Sequence, residues 1–130
     1  MGISCLIVDD SAVTRAMIRR AITISGIGID AFFEAANGCE ALDILRGQSV
    51  SLVLADLHMP TMGGEELIIQ MQADEQFKKI PVIVISAEPN AARIIALCKK
   101  GARSYLRKPF TPEEVHNIIG PFTETLHAVH

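Results

Sequence analysis

The 130-residue chain lacks any apolar stretch long enough to cross a membrane. Its longest uncharged segments run nine residues, for example Ala21 to Ile29, where a bilayer span takes about 18 or more. The N-terminus carries no basic region followed by an apolar core and a cleavage site, so no secretory signal is expected. Neither sign of charge dominates. Twelve Lys+Arg against fifteen Asp+Glu give a net charge of −3, which argues against a dedicated nucleic-acid binder. Cysteine is scarce and unpaired in pattern. Cys5, Cys39 and Cys98 are odd in number and form no CxxC, so they read as reduced core-type thiols of a cytosolic protein. No internal repeat, low-complexity tract or Pro/Gly/Ser-rich linker divides the chain, and its length fits one domain.

Apolar residues are abundant. The composition is 49% hydrophobic and 21% charged, with mean hydropathy +0.32, which excludes a disordered chain. Area scaling gives a folded surface of about 6,700 Å² against about 20,000 Å² unfolded. A core of that size needs neither disulfides nor a structural metal.

Short apolar runs alternate with longer amphipathic stretches. The runs are Ile3 to Val8, Ile29 to Phe33, Leu52 to Ala55, Pro81 to Ile85 and Ser104 to Leu106. Continuous apolarity without alternation predicts strands buried on both faces, as in a parallel sheet. Helices are predicted between them. Ser11 can cap the first, with Val13, Met17, Ala21 and Ile22 at helical spacing and Gly26 at its end. Asn37 can cap the second, with Ala41, Leu42 and Leu45 inward. The third opens near Gly64 and carries Leu67, Ile68 and Met71. The fourth places Ile94, Leu97 and Cys98 on one face. Thr111 can cap the fifth, with Pro112 at the first helical position. Five βα units with right-handed crossovers make an α/β fold, with helices on both faces of a five-stranded parallel sheet.

Polar residues fall at the carboxyl ends of these strands. The first ends in Asp9-Asp10, the third in Asp56, the fourth in Ser86, and the fifth runs into Lys108-Pro109. In a parallel sheet those ends share the edge where ligands bind. Alone, each has a structural explanation: a turn former or helix cap for an Asp, a loop residue for the Ser, an exposed Lys. Together their chemistry is complementary. Clustered carboxylates either rise in pKa or are held ionised by a cation. Mg²⁺ suits carboxylate, carbonyl and water oxygens. An ionised Asp can act as a nucleophile and form an aspartyl phosphate. A lysine and a metal would neutralise the transferring phosphoryl group, and a serine would hydrogen-bond it.

At this point the sequence resembles the bacterial response-regulator receiver domain. The matching stretches are Leu6-Ile7-Val8-Asp9-Asp10-Ser11, Leu52 to Pro60 around Asp56, Val82 to Ala87 around Ser86, and Gly101 to Phe110 around Lys108. The resemblance runs from Ile3 to about Ile119 and implies a flavodoxin-like doubly wound sheet of order 2-1-3-4-5. It divides the chain into a receiver domain, 1–122, and the end of the last helix with a C-terminal tail, 123–130. It implies that Asp56 is phosphorylated by a histidine kinase or phosphotransfer protein. Asp9, Asp10, Asp56 and the backbone carbonyl of His58 would hold Mg²⁺. Lys108 would pair with the phosphoryl group, Ser86 would move to bond it, and Tyr105 would be the aromatic switch. A cis bond before Pro109 is implied as well. The helix 4–strand 5–helix 5 face would then control a downstream protein, without turnover of an external substrate.

The remaining expectations concern surroundings and partners. Gly63 stands where the family often has Asp or Asn, at a cost of a few tenths of a kcal/mol. The side chains of His58 and Glu88 are expected at the site mouth, with His58 a spectator to the metal. Arg93, Lys99, Lys100, Arg103 and Arg107 form either a solvated face or a docking surface for an acidic segment. Met17, Met59, Met62 and Met71 read as packing residues. His116, His127 and His130 read as surface residues. The chain ends about ten residues past the resemblance, so no output domain is expected unless this is a fragment of a longer chain. The expectation is a cytoplasmic monomer that signals through a partner and binds neither nucleic acid nor membrane. Two alternatives compete. An aspartyl-nucleophile phosphatase of the haloacid-dehalogenase type would need a second Asp where His58 stands. A phosphate-independent pseudo-receiver is disfavoured by the complete acid set.

Overall fold

The computed structural model describes residues 2–129, with side chains through Leu126. Five strands and five helices alternate: β1 (Ser4–Val8), α1 (Ala12–Ile24), β2 (Ala31–Ala35), α2 (Gly38–Gly47), β3 (Leu52–Ala55), α3 (Gly64–Gln72), β4 (Val82–Ser86), α4 (Ala91–Lys100), β5 (Ser104–Arg107) and α5 (Pro112–Val129). All strand pairs are parallel, in the order β2-β1-β3-β4-β5. This is the flavodoxin-like arrangement. Among the described residues, no helix is long and apolar enough to cross a membrane.

Strand alternation divides the core into two layers. Leu6, Val8, Val53, Ala55 and Val84 point to the side covered by α2, α3 and α4, against Leu42, Leu67, Met71 and Leu97. Cys5, Ile7, Leu54, Ile83 and Ile85 point to the other side, against Ile18 and Ile22 of α1 and Val115 and Ile119 of α5. Both faces of β1, β3 and β4 are therefore apolar, which is why they read as unbroken hydrophobic runs. Each fully buried Leu or Ile contributes about 1.5–3 kcal/mol relative to exposure.

The departures from the sequence reading occur where elements lie at an edge. β2 spans 31–35 rather than 29–33 and is only half-buried. It is an outer strand with one neighbour, so continuous apolarity marks its lead-in instead, and Ile27 and Ile29 pack on the α1–α5 side. In α1, Ile18, Ala21 and Ile22 face the core, whereas Val13 and Met17 are 70% and 59% exposed. Met17 is thus no packing residue, although Met59, Met62 and Met71 are. Cys98 is exposed and Cys39 half-buried, leaving Cys5 as the core thiol.

The helix starts follow their caps. The side chains of Ser11, Asn37 and Asn90 accept from the Thr14, Glu40 and Ala92 amides. Thr111 and Glu114 bond each other's amides reciprocally as a capping box. Gly63 caps α3 without a side chain, and Glu65 and Glu66 fill the first turn, where negative charge suits the helix dipole. The positive φ of Gly26, +83°, ends α1. α5 continues through Pro121 to Val129. His127 and His130 lie outside the residues with described side chains.

Candidate functional site

The strand order decides what meets. β1 lies directly beside β3, with Val8 opposite Ala55, so the next residues, Asp9 and Asp56, emerge side by side. The chain leaves β1 toward β2 on one flank and β3 toward β4 on the other. That is the switch point at which open α/β sheets leave a crevice.

Asp9, Asp10 and Asp56 place carboxylate oxygens within 4.8 Å of one another. Asp9 is 2% exposed and fastened at every polar group. Its amide donates to the Ala35 carbonyl at 3.0 Å. Its Oδ1 accepts from the Ser11 amide at 2.9 Å, and its Oδ2 from Lys108 Nζ at 2.9 Å. Its carbonyl accepts from Arg15 Nη1 at 2.6 Å. Asp56 is half-buried; its Oδ1 accepts from the Leu57 amide at 2.8 Å, and its Oδ2 lies 3.3 Å from Lys108 Nζ. Asp10 is exposed.

Lys108 reaches this cluster from the far side of the sheet. Its amide donates to the Ser86 carbonyl at 2.9 Å, and the Lys108–Pro109 peptide is cis. Burial works to lower the pKa of its ammonium, but Asp9 and Asp56 outweigh burial and raise it above the usual lysine value. Lys108 is therefore a fixed positive charge. Three carboxylates against one ammonium leave two negative charges uncompensated. With hard oxygen donors only, the set fits a divalent cation such as Mg²⁺.

Ser86 closes β4 and is 1% exposed. Tyr105 stands on the neighbouring β5, opposite Val84, its ring against the α2–α4 side of the core. The Tyr105 hydroxyl lies 2.7 Å from the Ser86 carbonyl and 2.9 Å from that of Glu88. The aromatic ring is thus already turned toward the β4–α4 loop. Burial is the main cause of its raised pKa.

His58 is exposed on the β3–α3 loop, two residues beyond Asp56. Glu88, on the β4–α4 loop, pairs with Arg93 at 3.2 Å. Arg93 and Lys100 also meet Glu65 of α3, at 3.4 and 2.7 Å. Two of the five basic residues expected on the output face are thus engaged in ion pairs, while Lys99, Arg103 and Arg107 are exposed. His116 is exposed, with Nδ1 3.2 Å from the Ser25 carbonyl.

The response regulator receiver domain model matches residues 5–120. The chain belongs to that family. It is 39% identical over 109 residues to the chemotaxis protein CheY1 of Helicobacter pylori, covering 83% of this chain and 86% of that protein. It is 34% identical over 120 residues to a chemotaxis protein CheY homolog of Campylobacter jejuni, covering 88% and 91%. The crystal structure of the chemotaxis response regulator CheY4 of Vibrio cholerae superimposes with a TM-score of 0.78 at 27% identity, over the whole of both chains. This receiver is accordingly CheY-like, a member of two-component signalling.

Sequence reasoning missed Arg15 and its partner Glu34 at this receiver's acid pocket. Arg15 Nε sits 2.8 Å from Glu34 Oε1, with the Arg side chain 17% exposed. One signal was available. A cation four residues into a helix opposes the dipole there, so its presence asks for a local partner.

Proposed function

We propose that Asp56 accepts a phosphoryl group from a histidine kinase or phosphotransfer protein and that the chain acts as a switch rather than an enzyme with an external substrate. The observation that carries this reading is the meeting of three carboxylates and Lys108 at one strand edge. Asp56 offers a carboxylate oxygen as nucleophile. The P–O bond to it forms as the P–N bond to the donor histidine breaks, and the electron pair returns to the imidazole nitrogen. Asp9, Asp10, Asp56 and the His58 backbone carbonyl would hold Mg²⁺, which when bound supplies charge neutralisation for the transferring group. Lys108 holds a second positive charge against the phosphoryl oxygens.

After transfer, the dianionic group draws the Ser86 hydroxyl toward it. Tyr105 is tied to the Ser86 carbonyl, so the β4–α4 loop and ring respond together. The result is a shifted equilibrium on the α4–β5–α5 face, read by a downstream protein. The receiver unit spans 1–122, followed by 123–130 as the end of the last helix and a C-terminal tail. It works as a cytoplasmic monomer, without direct contact to nucleic acid or membrane. The chemotaxis names of its relatives support a place in that type of signalling.

The test is intact mass after incubation with acetyl phosphate, with and without Mg²⁺, beside Asp56→Asn. A Mg²⁺-dependent phosphoryl adduct on the wild type and none on the variant is expected. An adduct that persists in Asp56→Asn overturns the assignment. Steady hydrolysis of small phosphoesters would instead favour the phosphatase alternative.

A further inference from the structure

The three carboxylates are not held alike. Asp9 is anchored through its amide, both carboxylate oxygens and its carbonyl. Asp56 is anchored through its amide and one oxygen, with Lys108 beside the other. Asp10 is exposed, and among the described residues its side chain makes no hydrogen bond or ion pair. Something else must orient it if it is to act with the other two.

One contact does so through the backbone. The carbonyl of Asp9 and the amide nitrogen of Asp10 belong to one rigid peptide plane. Arg15 Nη1 grips that carbonyl at 2.6 Å, while its Nε is held by Glu34 at 2.8 Å. Arg15 thus spans from the first turns of α1 to the edge strand β2 and clamps the plane from which Asp10 projects. Its side chain is only 17% exposed, against 53% for neighbouring Arg19. A guanidinium can meet both partners at once because its donors form a planar fork. A lysine ammonium cannot span them in the same way.

We propose that Arg15 is a positioning residue for the divalent cation, acting through the Asp9–Asp10 peptide to aim the Asp10 carboxylate. The proposal rests on the reading of the acid pocket as a Mg²⁺ site. Charge and geometry predict opposite signs here, which makes it testable. Removing a nearby positive charge by itself should tighten the binding of a cation. Releasing the peptide plane should weaken it. Outer-shell partners of metal ligands typically contribute about tenfold or more in affinity.

The experiment is calorimetric titration of Mg²⁺ into the wild type, Arg15→Met, Arg15→Lys and Asp10→Asn, with thermal unfolding of each in metal-free buffer. Arg15→Met should bind Mg²⁺ about tenfold more weakly than wild type while still unfolding cooperatively. Arg15→Lys should lose affinity as well, although it keeps the charge. Unchanged or tighter binding in Arg15→Met overturns the proposal. If Arg15→Met does not fold, Arg15→Lys decides: wild-type affinity in that variant overturns it. If Mg²⁺ binds the wild type but Asp10→Asn binds it equally well, the target assigned to Arg15 is wrong. No Mg²⁺ binding by the folded wild type overturns the metal-site reading and this proposal with it.

Discussion

The ammonium of Lys108 lies 2.9 Å from Oδ2 of Asp9, a carboxylate only 2% exposed. Ninety-nine positions apart in the chain, the two meet because β1 and β5 both end at one edge of the sheet. The pair satisfies a buried charge, and it also sets the electrostatic character of the acid pocket.

Removing the lysine exposes that dependence. In Mg²⁺-free buffer, Lys108→Met should lower unfolding stability by about 2 kcal/mol, because Asp9 is left buried without its cation. The pH dependence has a definite sign. The folded pKa of Lys108 is raised above its ordinary value of 10.5, so its stabilisation is fully present below pH 10.5 and fades as pH rises through the folded value. Urea titrations of both proteins from pH 7 upward should show a constant gap until that point. A gap that closes by pH 9 contradicts the assignment.

Tyr105→Phe removes one hydroxyl and leaves the ring in place. The hydroxyl's single proton is shared between the Ser86 and Glu88 carbonyls, and its loss should cost about 1 kcal/mol. Faster amide exchange should be confined to the β4–α4 loop and the start of α4. Uniform acceleration across the sheet would mean that the ring, not the hydroxyl, holds that region.

Two glycines should respond to alanine in opposite ways. A Cβ on Gly64 would collide with the Asp56 carbonyl, whereas one on Gly47 meets nothing within 4 Å. Gly64→Ala should cost about 2 kcal/mol and slow phosphorylation by displacing Asp56. Gly47→Ala, at the last residue of α2, should be neutral or stabilise by up to about 0.5–1 kcal/mol. Thermal melts and the acetyl phosphate assay distinguish the two.

The thiols should react in order of exposure. Cys98 is exposed, Cys39 half-buried and Cys5 buried, and burial pushes the Cys5 thiol far up in pKa. An aromatic disulfide reagent should modify Cys98 first and Cys39 more slowly. Cys5 should react only when the chain unfolds. Peptide mapping of the native protein after partial labelling checks the order, and early modification of Cys5 would contradict the two-layer core.

The amino-acid sequence by itself determined the central strands, the caps and the strand-end positions of Asp9, Asp10, Asp56, Ser86 and Lys108. Those features rest on local physics. A strand buried on both faces must be apolar throughout, a cap must offer an acceptor to an open amide, and a polar group after such a strand stands at its end. Edges were less legible. β2 lies two residues beyond the apolar run that predicts it, and Val13 and Met17, at helical spacing with Ala21 and Ile22, are exposed. An outer strand or a helix flank tolerates apolar residues in water, so hydropathy there does not report burial. Tertiary structure alone decided which neighbours meet. It turned Tyr105 onto the loop carbonyls and laid Arg15 across Asp9 and Glu34. Such contacts depend on side-chain directions across separate elements, and no spacing along one chain encodes a distance across a sheet.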